Sequence, residues 1–348
     1  MSSDKVLNVG VVGTGLFATD NHLPNFQQSS QFKVVGAYNR TKGKAETFAA
    51  KAGLTDSQVY DSLDDIFSQK SIDVIDALLP VQFNLDVVKL AIKHNKPLSF
   101  EKPIAANLEQ AKEIVKLSKA TDLPILILEQ YSYFKAVDFV KSHLPSIGKV
   151  YAFEYSSTGA FAASSKYLAT SWRAVPEHIG GYLSDGGVHQ LALLTGILGE
   201  VESISAHTNQ IRKESGTDDI LFSTVKMASG AIGTFNYGSA FGATEKKSTL
   251  KVLGDNGSIL YDFTQRNTAV VKVSIGANGE VEANTQVFEF EDPNGQAAEF
   301  ENFAEAVSKK DKSLVKVSPE VAFHHFAIVV AAMESSAKGG ESVKIAQP

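Results

Sequence analysis

One glycine-spaced loop and three side chains far from it hold the residue types needed to move a hydride and a proton. Gly13-Thr14-Gly15-Leu16-Phe17-Ala18 reads G-x-G-x-x-A. Glycines at that spacing permit a tight turn and let backbone amides approach a pyrophosphate seated on a helix N-terminus. Lys102 lies between Glu101 and Pro103, while Asp185 and His189 follow the pair Gly180-Gly181. On a helix, a spacing of four residues puts the last two on one face. Histidine titrates near neutrality, so His189 suits the removal of a carbinol proton and its return to a carbonyl. An ammonium at Lys102 would stabilise charge developing on the substrate oxygen, and Asp185 would orient either partner. The chemistry expected is dinucleotide-dependent oxidation of an alcohol or reduction of a carbonyl. Plainer readings stay open for each group. The loop can be a structural turn, Asp185 a helix cap, His189 a core histidine beside Val188, Leu191 and Leu194, and Lys102 a surface partner of Glu101.

These groups need particular elements to hold them. Through residue 128 short apolar runs alternate with helical periodicity, the pattern of βαβ units and a parallel sheet. Strands are expected at Val6–Val12, Lys33–Tyr38, Asp73–Leu79, Leu98–Glu101 and Ile125–Leu128, with helices at Lys42–Lys51, Asn84–His94 and Asn107–Ala120. Asn84 and Asn107 suit N-caps. The fold class expected is α/β: a doubly wound Rossmann domain over 1–128, then an α+β domain over 129–348 with a large, mostly antiparallel open sheet. The second sheet is read from runs at Val150–Ser156, Val201–Thr208, Ile220–Met227, Ile232–Gly238, Ser248–Leu253, Ser258–Asp262, Val270–Ile275 and Thr285–Phe290. Asn256-Gly257 and Asn278-Gly279 suit hairpin turns between some of them. Helices are expected near Asp185–Leu198, Glu299–Val307 and Pro319–Ala337, with Lys309-Lys310-Asp311-Lys312 as a solvated turn before the last.

The chain has 348 residues, no cysteine, and 33 Lys plus Arg against 39 Asp plus Glu, a net charge of -6. Disulfides and thiolate chemistry are therefore excluded. The charge balance argues against nucleic acid or an anionic membrane as partner, and a cytoplasmic location is expected. No leader pattern opens the chain, and its longest apolar run, Phe326 to Met333, reads as a buried helix. No His, Asp and Glu cluster suggests a metal. His324-His325 are neighbours on a helix and point apart, so one core and one surface histidine are expected.

The end of the second strand bears on which dinucleotide fits. An NAD site usually carries an acid there for the ribose 2′-hydroxyl. This chain has Asn39-Arg40-Thr41, then Lys44, and the Arg40 fork suits a 2′-phosphate. The cofactor expected is NADP (NADPH). Its expected contacts are Gly13, Thr14, Gly15, Leu16, Phe17, Asn39, Arg40, Thr41, Lys44, Leu79, Pro80, Gln82, Asn84, Glu101, Lys102, Gln130, Trp172 and Arg173. Tyr131, Tyr182 and Tyr237 are candidates for the substrate pocket.

With G-x-G-x-x-A, the Glu101-Lys102-Pro103 triplet and Asp185-x-Gly187-x-His189 after a glycine pair, the chain resembles the Gfo/Idh/MocA family end to end. That family includes glucose–fructose oxidoreductase and inositol dehydrogenase. The resemblance implies that Lys102, Asp185 and His189 occupy catalytic positions and that the substrate is a small polyol-like alcohol or carbonyl. It also implies a cis bond before Pro103, and a homodimer or higher homo-oligomer built through the exposed face of the second sheet. Ala192, Asn84 and Val81 depart from residues common in the family. A nucleotide-sensing regulator on the same scaffold is the alternative reading, and a member that recycles its nicotinamide without net redox is a third.

Overall fold

Valine- and isoleucine-rich runs in the first part of the chain form strands buried on both faces, as parallel sheets require. The computed structural model describes residues 5–164, 176–277, 284–292 and 295–348. By internal contacts the chain divides into two compact units, one running through Glu129 and resuming over Gln296–Phe323, the other comprising Gln130–Gly295 and His324–Gln347.

In the first unit β1 (Leu7–Val12), β2 (Phe32–Tyr38), β3 (Val74–Ala77), β4 (Leu98–Glu101) and β5 (Ile125–Leu128) form a parallel sheet in the order β2-β1-β3-β4-β5. Strand order reverses between β1 and β3, the kind of switch point at which doubly wound sheets bind ligands. Helices α1 (Leu23–Gln28), α2 (Lys42–Ala52), α3 (Leu63–Ser68), α4 (Asn84–Lys93) and α5 (Leu108–Lys119) connect the strands. Asn107 caps α5 as expected, accepting from the Gln110 amide at 2.9 Å. Asn84 does not cap α4. It is 2% exposed, the preceding Phe83 occupies the cap position, and its amide donates to carbonyls of the Lys102 turn.

Helix α8 (Gln296–Lys309) belongs to this unit because its apolar face completes the unit's core. The Phe300 ring lies 4.6 Å from Phe26 and 6.2 Å from Phe32. Just beyond it, Lys312 is not solvated as expected. Its ammonium donates to the carbonyls of Ser118 and Thr121 at 3.1 and 2.6 Å, satisfying acceptors at the end of α5.

The second unit is built on a nine-stranded sheet ordered β13-β12-β11-β10-β6-β9-β8-β7-β14. Its strands are β6 (Val150–Ala160), β7 (Val201–Asn209), β8 (Ile220–Met227), β9 (Ile232–Phe241), β10 (Lys247–Gly254), β11 (Gly257–Asp262), β12 (Thr268–Ile275), β13 (Thr285–Glu291) and β14 (Val343–Lys344). Every neighbouring pair is antiparallel except β6 with β9. The hairpin between β10 and β11 turns on Asp255-Asn256, one residue earlier than expected, because Gly254 and Gly257 already pair. Asn278-Gly279 lie outside the described residues.

Helices α6 (Lys135–His143) and α7 (Tyr182–Leu198) also belong to the second unit. The longest helix, α9 (Pro319–Ala337), lies in the stretch Lys312–Ala337, which is long and apolar enough to cross a membrane by length and composition. Most of it is buried inside the protein, with Phe323, Phe326 and Ala332 at 1% exposure or less, so it is a core helix. The Ser335 and Ser336 hydroxyls accept from the Ala206 and Thr208 amides, tying α9 to β7.

Candidate active site

The glycine loop leaves β1 at the switch point. Gly13 has φ +89, and a Cβ there would sit 2.3 Å from the Leu78 carbonyl oxygen, so only glycine fits. A Cβ on Gly15 would meet nothing within 4 Å, so its backbone faces open space. Thr14 is 3% exposed, and its hydroxyl has no hydrogen-bond partner among the described residues. The helix after the loop begins at Leu16, which is 57% exposed, and passes through a π-helical turn over Ala18–His22. Unobstructed space at Gly15, a buried hydroxyl on Thr14 and a helix N-terminus fit a dinucleotide pyrophosphate, although the Gly13 and Gly15 amides themselves donate to the Tyr38 and Gly13 carbonyls.

At the end of β2, Arg40, Thr41 and Lys44 are exposed. The Asn39 side-chain oxygen accepts from the Thr41 amide at 2.9 Å, which shapes the turn into α2. Leu79, Pro80 and Gln82 follow β3, the last within a single 3-10 turn.

Lys102 follows the last residue of β4, and the Lys102-Pro103 bond is cis. Asn84 Nδ2 lies 3.3, 3.0 and 3.4 Å from the carbonyl oxygens of Glu101, Pro103 and Ile104. Beneath this turn is a cluster that sequence reasoning missed. His22 is fully buried, with Nδ1 2.7 Å from Asp76 Oδ2 and Nε2 3.2 Å from Glu101 Oε1. Ser99 donates to the other Asp76 oxygen at 2.8 Å. Burial alone would lower the His22 pKa, but the two carboxylates more than offset it and raise it to about 10. Burial, followed by the charge on Glu101, pushes the Glu299 carboxyl well above the ordinary carboxylate range. The available signal was Asp76, an acid in the otherwise apolar run of β3, which had to have a buried partner.

In the second unit, Gly181 with φ +43 occupies the N-cap position of α7, so Asp185 lies inside the first turn and does not cap the helix with its side chain. His189 follows one turn later and stacks on Tyr131, ring centroids 5.0 Å apart at 23°. Of the two glycines after Asp185, Gly186 has a steric reason, while a Cβ on Gly187 would make only an ordinary contact. A Cβ on Gly186 would fall 2.0 Å from the Tyr237 hydroxyl, and one on Gly187 3.5 Å from its ring. Tyr237 stacks on Tyr182 at 5.7 Å. Burial, then Tyr182 and Asp185, push its phenol well above its ordinary pKa, so it is neutral at physiological pH.

A cavity of about 210 Å³ opens here, lined by His189, Gln190, Tyr131, Tyr237, Ser157 and Ser248 among others. Tyr131 and Tyr237 line this cavity, whereas Tyr182 stacks on Tyr237 without lining it. Ser157 and Ser248 are buried and 2.9 Å apart, and Gln190 accepts from the Tyr155 hydroxyl at 2.7 Å. Sequence reasoning missed these three polar residues. Two were detectable, since Ser157 and Ser248 share strand parity with buried Tyr155, Leu250 and Val252.

Gln130 opens a 3-10 turn at the start of the second unit, while Trp172 and Arg173 lie outside the described residues. Of the adjacent histidines, His325 is buried against the Thr195 hydroxyl at 2.9 Å. His324 is not a surface group as expected, because it accepts from the Val201 amide at 3.0 Å. No group of three or more potential metal ligands occurs among the described residues.

A G-x-G-x-x-A loop at the switch point of a five-stranded parallel sheet, followed by a unit built on a nine-stranded mixed sheet, defines a two-domain oxidoreductase with a nucleotide-binding Rossmann unit. Residues 7–127 match the oxidoreductase family, NAD-binding Rossmann fold, and residues 144–345 match the oxidoreductase family, C-terminal alpha/beta domain. The chain belongs to this Gfo/Idh/MocA family. It is 52% identical over 346 residues to an uncharacterised protein of Saccharomyces cerevisiae, covering 98% of this chain and 99% of that one. It is 24% identical over 219 residues to the scyllo-inositol 2-dehydrogenase (NADP(+)) of Bacillus subtilis, covering 61% of this chain and 64% of that one. A levoglucosan dehydrogenase solved with NADH shares the fold at TM-score 0.83 and 19% identity, covering 99% of this chain and 100% of that one.

Proposed function

We propose that the protein is an NADP(H)-dependent dehydrogenase or reductase acting on a small polyol- or sugar-like alcohol or carbonyl. The observation carrying this reading is the cavity beside His189, whose buried hydroxyl and amide groups suit a polyhydroxylated substrate. The inositol and levoglucosan chemistry named for the two relatives supports that class. Bound NADP would supply the hydride acceptor, and NADPH the donor. Its pyrophosphate is assigned to Gly13, Thr14 and Gly15, and its 2′-phosphate to Arg40 with Lys44, the Thr41 hydroxyl and the Asn39 NH₂ group.

In the oxidising direction His189 takes the hydroxyl proton at its imidazole, and in reduction it returns that proton. Lys102 donates a hydrogen bond to the substrate oxygen and stabilises its developing charge. Asp185, one helical turn before His189, orients the imidazole. The neutral Tyr237 phenol holds a substrate hydroxyl. The exposed face of the nine-stranded sheet, with Ile232 60% and Val287 55% exposed, is the surface for self-association.

The test follows reduced-nicotinamide absorbance over a panel of polyols, sugars and their carbonyl counterparts. Lys102→Ala and His189→Ala are expected to abolish turnover while keeping NADPH binding. Arg40→Ala is expected to weaken NADP by roughly 1.5–3 kcal/mol, about ten- to hundred-fold in Kd, with NAD nearly unaffected. Equal loss for both nucleotides would put the 2′-phosphate elsewhere, and full turnover in either alanine variant of the first pair would refute the assignment of roles.

A further inference from the structure

The buried cluster under the Lys102 turn is not used by the chemistry above, although it joins the helix that follows the glycine loop to the turn that carries Lys102. His22 ends the π-helical turn that continues from the glycine loop. It contacts Asp76 on β3 through one ring nitrogen and Glu101 at the end of β4 through the other. Glu101 is bonded to Lys102, and the amide of Asn84 on α4 reaches carbonyls on both sides of Lys102. Phe17 and Phe300 wall the imidazole at 5.3 and 5.2 Å, edge to face. The charged and titratable groups facing it are Asp76, Glu101 and, from α8, Glu299, which has one carboxyl oxygen unpartnered among the described residues.

A buried acid on a central strand and a half-buried acid at a strand end would repel each other without a cation between them. The imidazole in its doubly protonated form supplies that cation and donates in both directions. We infer that His22 is a positioning residue: it clamps Glu101, and through it the Lys102 turn, to the helix that leaves the nucleotide loop. This inference rests on the role assigned to Lys102 in the proposed function.

A lysine displaced by even 1 Å from its working position can lose about a hundredfold in rate, so the clamp acts on turnover and not on nucleotide affinity. His22→Asn keeps a donor toward Asp76 and removes the reach to Glu101. Steady-state kinetics, NADPH titration by fluorescence and the primary isotope effect with 4-deuterated NADPH would be measured on fully folded protein, as judged by urea denaturation. The expected result is a kcat lowered roughly ten- to hundred-fold, a larger isotope effect on kcat, and a Kd for NADPH within about threefold of wild type. A kcat within twofold of wild type in folded His22→Asn overturns the inference, as does a loss confined to NADPH affinity.

Should His22→Asn fail to fold, Glu101→Gln keeps the shape of the contact and removes its charge. It is expected to lower kcat in the same direction, and an unchanged kcat would overturn the clamp. If wild type binds NADPH and turns over no substrate, the proposed function fails, and the clamp is read from chemical labelling instead. The rate at which an amine reagent modifies Lys102, followed by mass spectrometry, is then expected to change at least fivefold in His22→Asn with other lysines unaffected. An unchanged Lys102 rate overturns the inference in that case too.

Discussion

Replacing Gly186 by alanine sets two opposing effects against each other in the middle of α7. On an unobstructed helix the change would stabilise by roughly 1 kcal/mol, because glycine loses the most backbone entropy. Here the new methyl falls 2.0 Å from the Tyr237 hydroxyl oxygen and 3.1 Å from the ring carbon bearing it. Tyr237 is 7% exposed on β9 and stacked on Tyr182, so the ring has little room to retreat. Overpacking costs about 1–3 kcal/mol, and a 2.0 Å clash with a packed ring puts this site in the upper part of that range, so Gly186→Ala is expected to destabilise by roughly 1–2 kcal/mol net.

Tyr237→Phe removes the offending oxygen and leaves the 3.1 Å contact, which a shift of a few tenths of an ångström relieves. In that background Gly186→Ala is expected to be neutral or slightly stabilising. The coupling energy of the double-mutant cycle should therefore be about 1–2 kcal/mol. Urea midpoints at constant m-value for the four proteins measure it. An equal loss from Gly186→Ala in both backgrounds would refute the steric account of Gly186.

Other perturbations separate the remaining claims. Gly13→Ala forces a Cβ against backbone at φ +89 and should cost roughly 2–4 kcal/mol together with NADPH binding, read by denaturation and fluorescence titration. Because the His22 pKa is raised from 6.5 to about 10, the stabilisation from its protonation is complete below pH 6.5 and lost as pH rises through 10. The stability difference between wild type and His22→Asn should shrink across that window by up to about 1.4 kcal/mol per pH unit, and a flat difference would refute the charged assignment. Lys312→Met should lower stability by roughly 0.5–1.5 kcal/mol through the lost carbonyl contacts at the end of α5, measurable as a urea midpoint shift.

The alternation of apolar runs and helical spacing was enough to read the parallel sheet and the large mixed sheet, while the family came from the resemblance carried by the glycine loop, the Glu101-Lys102-Pro103 triplet and the Asp185–His189 spacing. Asp185 and His189 could be placed on one helical face because a period of 3.6 is local information. The carbonyl contacts of Asn84 and the bonds of Lys312 were not legible, because each depends on a partner 17 to 20 or about 190 residues away. His22 was overlooked for the same reason: its partners Asp76 and Glu101 are 54 and 79 positions along the chain. The cavity serines were hidden by their bland type, although their inward parity marked them. The helix α8 reads as amphipathic from sequence, but periodicity names no neighbour for its apolar stripe.

That helix has a consequence for anyone who would cut this protein at the natural-looking boundary after β5. A recombinant fragment ending there would lack Phe300, leaving Phe26 and Phe32 with a solvent-facing gap, and would open the aromatic wall around His22. The nucleotide-binding half is therefore a discontinuous module. Grafting or swapping it means transplanting two stretches of polypeptide together, and a library that shuffles only the N-terminal stretch should yield aggregates in place of soluble nucleotide binders.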